Sequence, residues 1–203
     1  MDRNVLPQRG VVDFVKTEVM MSHMVTWAIA TVSPHNFGLK WYVGRARPEE
    51  VVYGIFTEAI DAQFVPGSVL QALANQTFTE TNFTAYDEGS PKHPSWPAMH
   101  SAGSAGSLWM ATILDLTEDQ LCQAMLMDYA VSYARTVAGV HYQADNMAGL
   151  NLGQEILSRE LPLYLAQKYG ADPEQVRLKI DQVRFDWNDF LNTDCANFTS
   201  LFA

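Results

Sequence analysis

Three short segments of the sequence combine cations, histidines and prolines in a way that suits an anion. The first runs from Lys40 to Pro48, the second from His93 to Ser101 and the third from Arg135 to Asp145. Lysine and arginine donate charge-assisted hydrogen bonds to oxyanions, arginine through a planar fork. Histidine can bond a metal or move a proton near neutral pH. Together the segments predict a site for a phosphate-shaped oxyanion.

Each segment alone has an ordinary interpretation. Lys40 and Arg47 could be surface charges, and His100 could be a capping or buried histidine. His141 could belong to a local turn, with Asp145 as the N-cap of the next helix. The occurrence of all three segments in one chain is what favours a functional site.

The combined pattern resembles the three-part signature of the phosphatidic acid phosphatase type 2/haloperoxidase superfamily, which includes vanadium haloperoxidases and soluble acid phosphatases. The resemblance covers roughly residues 39–153. The residues that carry it are Lys40, Arg47, Pro48, Pro97, His100, Arg135, His141 and Asp145.

The resemblance implies a role for each of these side chains. His141 would bond the vanadium through a ring nitrogen, or attack phosphorus in a phosphatase. Asp145 would orient that ring, and His100 would exchange protons with the anion or with bound peroxide. The other contacts to the anion would come from Lys40, Arg47, Arg135 and the backbone N–H of Met99. The implied cofactor is vanadate, a Lewis acid toward peroxide, and the implied partners are hydrogen peroxide, a halide and an organic acceptor.

Two details resemble algal-type bromoperoxidases in particular. His93, within His-Pro-Ser-Trp-Pro, is similar to a histidine that lies beside the vanadate in those enzymes. The Lys-Trp and Ala-Arg-Pro-Glu sequences between Lys40 and Glu49 are similar to the same group. The sequence therefore predicts a bromoperoxidase-like peroxidase. The alternatives are a soluble acid phosphatase with His141 as nucleophile, and a degenerate non-catalytic member or a fragment.

Two residues depart from the family pattern. The family turn reads Pro-Ser-Gly-His, whereas this chain has Ala98 and Met99 between its proline and histidine. Ala98 has no hydroxyl, and Met99 would be strained if the family glycine has a positive φ. Losing one hydrogen bond to the anion costs about 1.5–3 kcal/mol, so binding is expected to be weakened rather than abolished.

The elements that must position these segments are predicted to be helices. The fold class is all-α, a helical bundle of the vanadium haloperoxidase/acid phosphatase type, with six or seven helices in a single domain over residues 1–203. The first helix is expected over Val11 to Val32, because the residue before Pro34 is disfavoured in a helix. The second is expected from Pro48 to about Phe64. An irregular connection follows, over Asn75 to Pro97.

The second half of the chain carries clearer helix boundaries. A helix rich in small residues is expected from His100 to about Asp115, packed in the middle of the bundle. Thr117 and Gln120 predict a capping box for a helix that ends near Gly139. The last two helices are expected over Asp145 to Tyr169, with a possible interruption at Pro162 and Gly170 as C-cap, and over Pro173 to about Leu191, capped by Asp172.

Composition excludes several classes of function. The 203 residues carry a net charge of −10, which argues against nucleic-acid binding. No segment is long and apolar enough to span a membrane and no secretory signal is recognised, so a cytoplasmic location is the default expectation. Cys122 and Cys195 are expected to be structural free thiols. Val11 to Val32 is a candidate interface for a homodimer or higher homo-oligomer.

Overall fold

The computed structural model describes residues 14–74, 76 and 83–196, and this part of the chain contains eight α-helices and no β-strand. In chain order they are α1 (Phe14–Val43), α2 (Pro48–Phe56), α3 (Gly67–Ala74), α4 (Met99–Gly103), α5 (Gly106–Ile113), α6 (Glu118–Val137), α7 (Gln143–Tyr169) and α8 (Pro173–Val183). Two 3-10 helices cover Ala62–Phe64 and Trp187–Asn192. The all-α prediction is confirmed. The number of α-helices exceeds the predicted six or seven.

Helix α1 continues through Pro34, so the predicted end at Val32 is wrong. A proline inside a helix removes one backbone hydrogen bond. Here α1 packs against α4 and α7 and fully buries Val32, Asn36 and Lys40, and this packing compensates for the lost bond. The extra turns carry Lys40 into the bundle. The predicted start of this helix at Val11 lies outside the described residues.

Helix α2 begins at Pro48 as predicted but ends at Phe56, well before the expected Phe64. Glu58, two residues later, has a φ of 58°, which an α-helix cannot accommodate. The helix predicted from His100 to Asp115 is also divided, into α4 and α5. Asp128 of α6 accepts hydrogen bonds from the N–H groups of Gly106 at 3.2 Å and Ser107 at 2.9 Å. These two hydrogen bonds to the buried side chain of Asp128 satisfy N–H groups at the start of α5 and so stabilise a second helix start.

Most of the predicted helix caps are confirmed. Thr117 and Gln120 form the capping box of α6, and Gly170 ends α7 with a φ of 71°. Asp172 accepts a hydrogen bond from the N–H of Glu174 and caps α8. Helix α7 begins two residues earlier than predicted and continues through Pro162. Helix α8 ends at Val183 rather than near Leu191, and a separate 3-10 helix follows it.

The centre of the bundle is a close contact between α4 and α7, which bears out the prediction for the small-residue helix. A Cβ atom added at Gly149 would lie 2.4 Å from the carbonyl oxygen of Ala98, and one at Gly153 would lie 2.1 Å from that of Ala102. Only glycine permits this approach of the two backbones. The turn before His100 is therefore packed directly on the first half of α7.

Cys122 and Cys195 form a disulfide, so the prediction of free thiols is wrong. The two residues are 73 positions apart, with Cα atoms 4.9 Å apart. Cys195 packs against a hydrophobic cluster that includes Met125, Trp187 and Phe190. Packing of the C-terminal segment on α6 brings the two sulfurs together, and no local sequence pattern indicates this.

No described helix has the length and apolar character that a membrane crossing requires. On α1, Val19, Val25 and Ile29 are between 44% and 50% exposed. The homodimer interface expected over Val11 to Val32 stays a prediction.

Candidate active site

His141 lies at the centre of a polar cluster between α6 and α7. Its Nδ1 is 3.2 Å from Oδ2 of Asp145 and 3.3 Å from Oγ of Ser95. Its Nε2 is 3.3 Å from Nη1 of Arg47. The ring is almost fully buried. One ring nitrogen therefore faces a carboxylate and the other faces a cation.

The surroundings of His141 keep its ring neutral. Burial lowers its pKa to about 4, and the positive charges of Arg47 and Lys40 act in the same direction. The hydrogen bond to Asp145 raises the pKa, but this effect is smaller than the combined effect of burial and the two cations. Because Nδ1 faces Asp145, the single ring proton belongs on Nδ1. The lone pair of Nε2 then points at the cationic part of the site.

Asp145 is fully buried in the first turn of α7. Burial alone would raise the pKa of this carboxyl, but hydrogen bonds from His141, Ser95 and the N–H of Tyr142, with the charge of Arg45, lower it overall. Arg45 Nη1 donates to Oδ1 at 2.7 Å. Asp145 is thus an ionised hydrogen-bond acceptor beside the histidine.

Lys40 reaches the same cluster from α1. Its Nζ donates to the carbonyl oxygens of Pro94 at 2.9 Å and Ser95 at 2.8 Å. The side chain is fully buried, and burial, with the charge of Arg47, lowers its pKa to about 7. A negative charge placed nearby would therefore favour the ammonium form.

Arg47 connects the three sequence segments. Its Nε donates to the carbonyl of His93 at 2.9 Å, its Nη1 to the carbonyl of Val140 at 2.7 Å, and its Nη2 lies 3.2 Å from Nδ1 of His93. Arg47 is 1% exposed. Burial lowers the pKa of its guanidinium, and so does the charge of Arg135, which therefore lies within electrostatic reach.

Arg135, at the end of α6, has an incomplete set of partners. Its Nη1 donates to the hydroxyl of Tyr86, and its guanidinium lies 5.3 Å from the centre of the Tyr86 ring. Its buried Nε has no acceptor among the described residues. Within that same part of the chain, Lys40, Arg47 and Arg135 form no ion pair with a carboxylate.

The two remaining histidines lie at the edge of the cluster. His93 is half-buried, with the centre of its ring 5.1 Å from the centre of the Phe37 ring in an edge-to-face arrangement. Burial and the charge of Lys40 lower its pKa. His100 is exposed in the first turn of α4. Partial desolvation and the charge of Arg135 lower the pKa of His100, with smaller effects from Lys40 and Arg47. His100 lies near the cations without a hydrogen bond to His141.

The two residues that depart from the family pattern occupy a regular backbone. Ala98 is fully buried, and its N–H donates to the carbonyl of Asp145 at 2.9 Å. Met99 is the first helical residue of α4, and Glu58 is the only described non-glycine residue with a positive φ. The strain anticipated for Met99 is therefore absent. Its N–H, like others in a first helical turn, has no intrahelical acceptor.

Three polar residues of the cluster have no role assigned from the sequence. Arg45 and Ser95 bond Asp145 across 100 and 50 positions of the chain. Asn36 is buried beside them, with Nδ2 3.4 Å from the carbonyl of Pro97 and Oδ1 unpaired among the described residues. Arg45 lies inside the first of the three segments and Ser95 inside the second, which is the only local signal for them. Asn36 follows Pro34 in a helix that was expected to have ended.

Among the described residues, an all-α bundle buries a His–Asp pair beside three cations that form no ion pair with a carboxylate, an arrangement suited to an oxyanion. Residues 19–158 match the family model of the PAP2 superfamily. The chain belongs to that superfamily. No curated protein and no solved structure matches the chain significantly.

Proposed function

We propose that this member of the PAP2 superfamily is a vanadium-dependent haloperoxidase that oxidises bromide with hydrogen peroxide. The observation that carries the proposal is the orientation of His141. Its Nδ1 faces Asp145 at 3.2 Å and its Nε2 faces Arg47 at 3.3 Å. A neutral imidazole whose Nε2 carries no proton and faces the cations is suited to ligate the metal of a bound oxyanion.

The donors left over in the cluster fit vanadate. Lys40 uses two of its ammonium hydrogens on backbone carbonyls, and the third has no acceptor among the described residues. Arg135 keeps a buried Nε without an acceptor in the described part of the chain. Each cation–anion pair at about 4 Å contributes roughly 4 kcal/mol at an effective dielectric constant near 20, before desolvation. Three cations at such distances would favour anion binding locally, although the chain as a whole is acidic.

Bound vanadate supplies a Lewis acid that makes hydrogen peroxide electrophilic toward a halide. The chain itself contributes charge and proton transfer. Lys40, Arg47 and Arg135 would hold the oxygen atoms, and His141 would supply the nitrogen ligand. His100 is exposed near these cations, and its lowered pKa keeps the ring neutral, so that it can accept a proton at neutral pH.

His93 is the residue that favours the haloperoxidase. Its Nδ1 lies 3.2 Å from Nη2 of Arg47, so it borders the guanidinium proposed to hold the anion. This placement agrees with the resemblance of the His-Pro-Ser-Trp-Pro sequence to bromoperoxidases. We expect His93 to influence the halide step rather than the affinity for vanadate.

The second candidate is an acid phosphatase, and the same ring of His141 supports it. With a pKa of about 4, His141 has an unprotonated Nε2 at neutral pH, as a nucleophile toward phosphorus requires. Nε2 would form a bond to phosphorus while the bond to the ester oxygen breaks. The charge of the bound phosphate would raise the pKa of His100, so that its ring would carry a proton in this complex and give it to the departing alcohol. Water would then release phosphate and regenerate the histidine.

Two assays on one preparation test these proposals. After incubation with orthovanadate, bromination of a phenolic dye is measured with hydrogen peroxide and bromide. Without vanadate, hydrolysis of an aryl phosphate is measured instead. We expect bromination that saturates with vanadate and is lost in His141→Ala.

His23 is exposed on α1 and provides the matched control. The His23→Ala variant is expected to retain the activity of the wild type. If bromination is absent at saturating vanadate, the haloperoxidase proposal is wrong. Phosphate hydrolysis that depends on His141 would then establish the second candidate. Failure of both, without vanadate binding, would indicate a degenerate member.

A further inference from the structure

We infer that Arg45 and Ser95 are positioning residues for His141. Both hold Asp145, so that the His141 ring keeps its proton on Nδ1 and presents an unprotonated Nε2 to the oxyanion. The inference concerns the ring in the free protein. It rests on the proposed function only in assigning His141 as the residue that meets the anion.

Both oxygens of Asp145 are occupied by different donors. Oδ1 accepts from Arg45 Nη1 at 2.7 Å. Oδ2 accepts from the Ser95 hydroxyl and from the N–H of Tyr142 at 3.1 Å, and lies 3.2 Å from Nδ1 of His141. Because the carboxylate is fully buried, each oxygen needs a protein donor. Without Arg45, Oδ1 would lose its only side-chain donor among the described residues, and the carboxylate could rotate.

The Ser95 hydroxyl favours the same position of the proton on His141 as Asp145 does. A hydroxyl has one hydrogen, and Ser95 donates it to Asp145 Oδ2. Its Oγ also lies 3.3 Å from Nδ1 of His141, so at that contact it can act only as an acceptor. Nδ1 must then be the donor. Two neighbours, Ser95 and Asp145, therefore require the same tautomer of the ring.

Arg45 is itself held in place by its surroundings. Its guanidinium lies 4.2 Å from the centre of the Tyr142 ring, a favourable cation–π geometry. Its backbone carbonyl accepts from the N–H of Ser95 at 2.8 Å, and the carbonyl of Ser95 in turn accepts from Lys40 at 2.8 Å. Arg45, Ser95 and Asp145 thus form one connected unit beneath the histidine.

The tautomer of His141 can be measured without any anion, by nitrogen-15 NMR of the histidine-labelled protein at neutral pH. We expect the wild type to show His141 with hydrogen on Nδ1 only. Arg45→Met and Ser95→Ala are each expected to show both tautomers. Calorimetric titration with vanadate alone should show binding weakened about ten- to a hundredfold in both variants, as for other residues that orient a metal-binding histidine.

Two further variants separate positioning from general stability. Arg184 pairs with Glu155 and is 42% exposed, similar to the 38% of Arg45, so Arg184→Met is a matched loss of one ion pair. It should leave the tautomer and the vanadate affinity unchanged. Arg45→Lys keeps the charge and should restore the Nδ1 tautomer at least in part.

An unchanged tautomer in both folded variants, Arg45→Met and Ser95→Ala, would overturn the inference. If either variant fails to fold, Arg45→Lys and the other variant decide by the same spectrum. The NMR readout does not depend on peroxidase or phosphatase activity. A protein that fails both activity assays but shows the tautomer shift would contradict the proposed function and still support the role of Arg45 and Ser95.

Discussion

The backbone N–H of Ala98 donates to the carbonyl oxygen of Asp145 at 2.9 Å. This hydrogen bond joins the turn that starts α4 to the first turn of α7. His100 lies in α4. Asp145, which positions His141, lies in α7. The relative position of the two histidines is therefore set by the contact between two helices.

Gly149→Ala should disturb that contact. The new Cβ would lie 2.4 Å from the Ala98 carbonyl oxygen, which belongs to backbone and cannot move aside easily. We expect the free energy of unfolding to fall by about 1–3 kcal/mol or more, measured by urea denaturation. Gly38 in α1 has nothing within 4 Å of the same position, so Gly38→Ala should instead stabilise by about 0.5–1 kcal/mol. Equal effects of the two substitutions would contradict this account of the packing.

Ala98→Ser should strengthen anion binding. The substitution restores the hydroxyl of the family turn at a position where the backbone already has ordinary helix-cap angles. One added hydrogen bond to a charged group contributes about 1.5–3 kcal/mol, so the dissociation constant for vanadate should fall about tenfold or more. Ala102, equally buried on α4, gives the control Ala102→Ser. An affinity that is unchanged or weaker in Ala98→Ser would show that this hydroxyl does not reach the anion.

Lys40 should make anion binding dependent on pH. Its pKa is lowered to about 7 in the free protein, and a bound anion would raise this pKa again. Binding above pH 7 must therefore take up a proton, and affinity should fall as the pH rises from 7 to 9. Tungstate is the suitable probe, because its charge is constant over this range. Calorimetry should show weaker, pH-independent binding in Lys40→Met.

The control for this titration is Lys168→Met, at the far end of α7. It should retain the pH dependence of the wild type. A Lys40→Met variant with the same pH dependence as the wild type would show that another group takes up the proton.

Because of the titration of Asp128, the folded protein should become less stable as the pH rises. Burial raises the pKa of this carboxyl from 3.8 to about 7, against the opposing effect of the N–H groups of Ser107 and Gly106. Between these pH values the folded protein retains a proton that the unfolded chain has lost, so the free energy of unfolding decreases with increasing pH. The loss is about 1.4 kcal/mol for each unit by which the two pKa values differ.

Urea denaturation at intervals from pH 4 to 8 measures this effect. Relative to Asp128→Asn, the wild type should lose stability steadily as the pH approaches 7. Asp119 is exposed on the same helix, and Asp119→Asn should follow the wild-type profile. Parallel profiles for the wild type and Asp128→Asn would rule out a titration of Asp128 in this range.

Reduction of the Cys122–Cys195 disulfide should destabilise the protein. The bond joins residues 73 positions apart, and closing such a loop typically stabilises a protein by about 2–4 kcal/mol. Thermal unfolding with and without reductant should show a lower Tm for the reduced protein. The Cys122→Ser/Cys195→Ser double variant should match the reduced protein and should not respond to reductant. If Tm is unchanged after the disulfide has been shown to be reduced, the bond does not stabilise the fold and this prediction is wrong.

The sequence by itself determined the features that depend on nearest neighbours in the chain. The caps at Thr117, Gly170 and Asp172 follow from short-range hydrogen bonds and from the positive φ that glycine adopts without strain. The residue types and spacing of the three segments were also sufficient to indicate the superfamily, which the family match confirms, and they predict an oxyanion site. Residue type limits which atoms can donate, accept or bind a metal, wherever they lie in the fold.

Only the tertiary structure decided which groups meet. The continuation of α1 past Pro34 depends on packing against α4 and α7, which outweighs one lost backbone bond. The division of α4 from α5 depends on Asp128, which comes from another helix. The ion pair of Arg45 with Asp145 spans 100 positions of the chain. Such contacts arise from burial and close packing of the whole bundle, and a local pattern of residues contains no information about them.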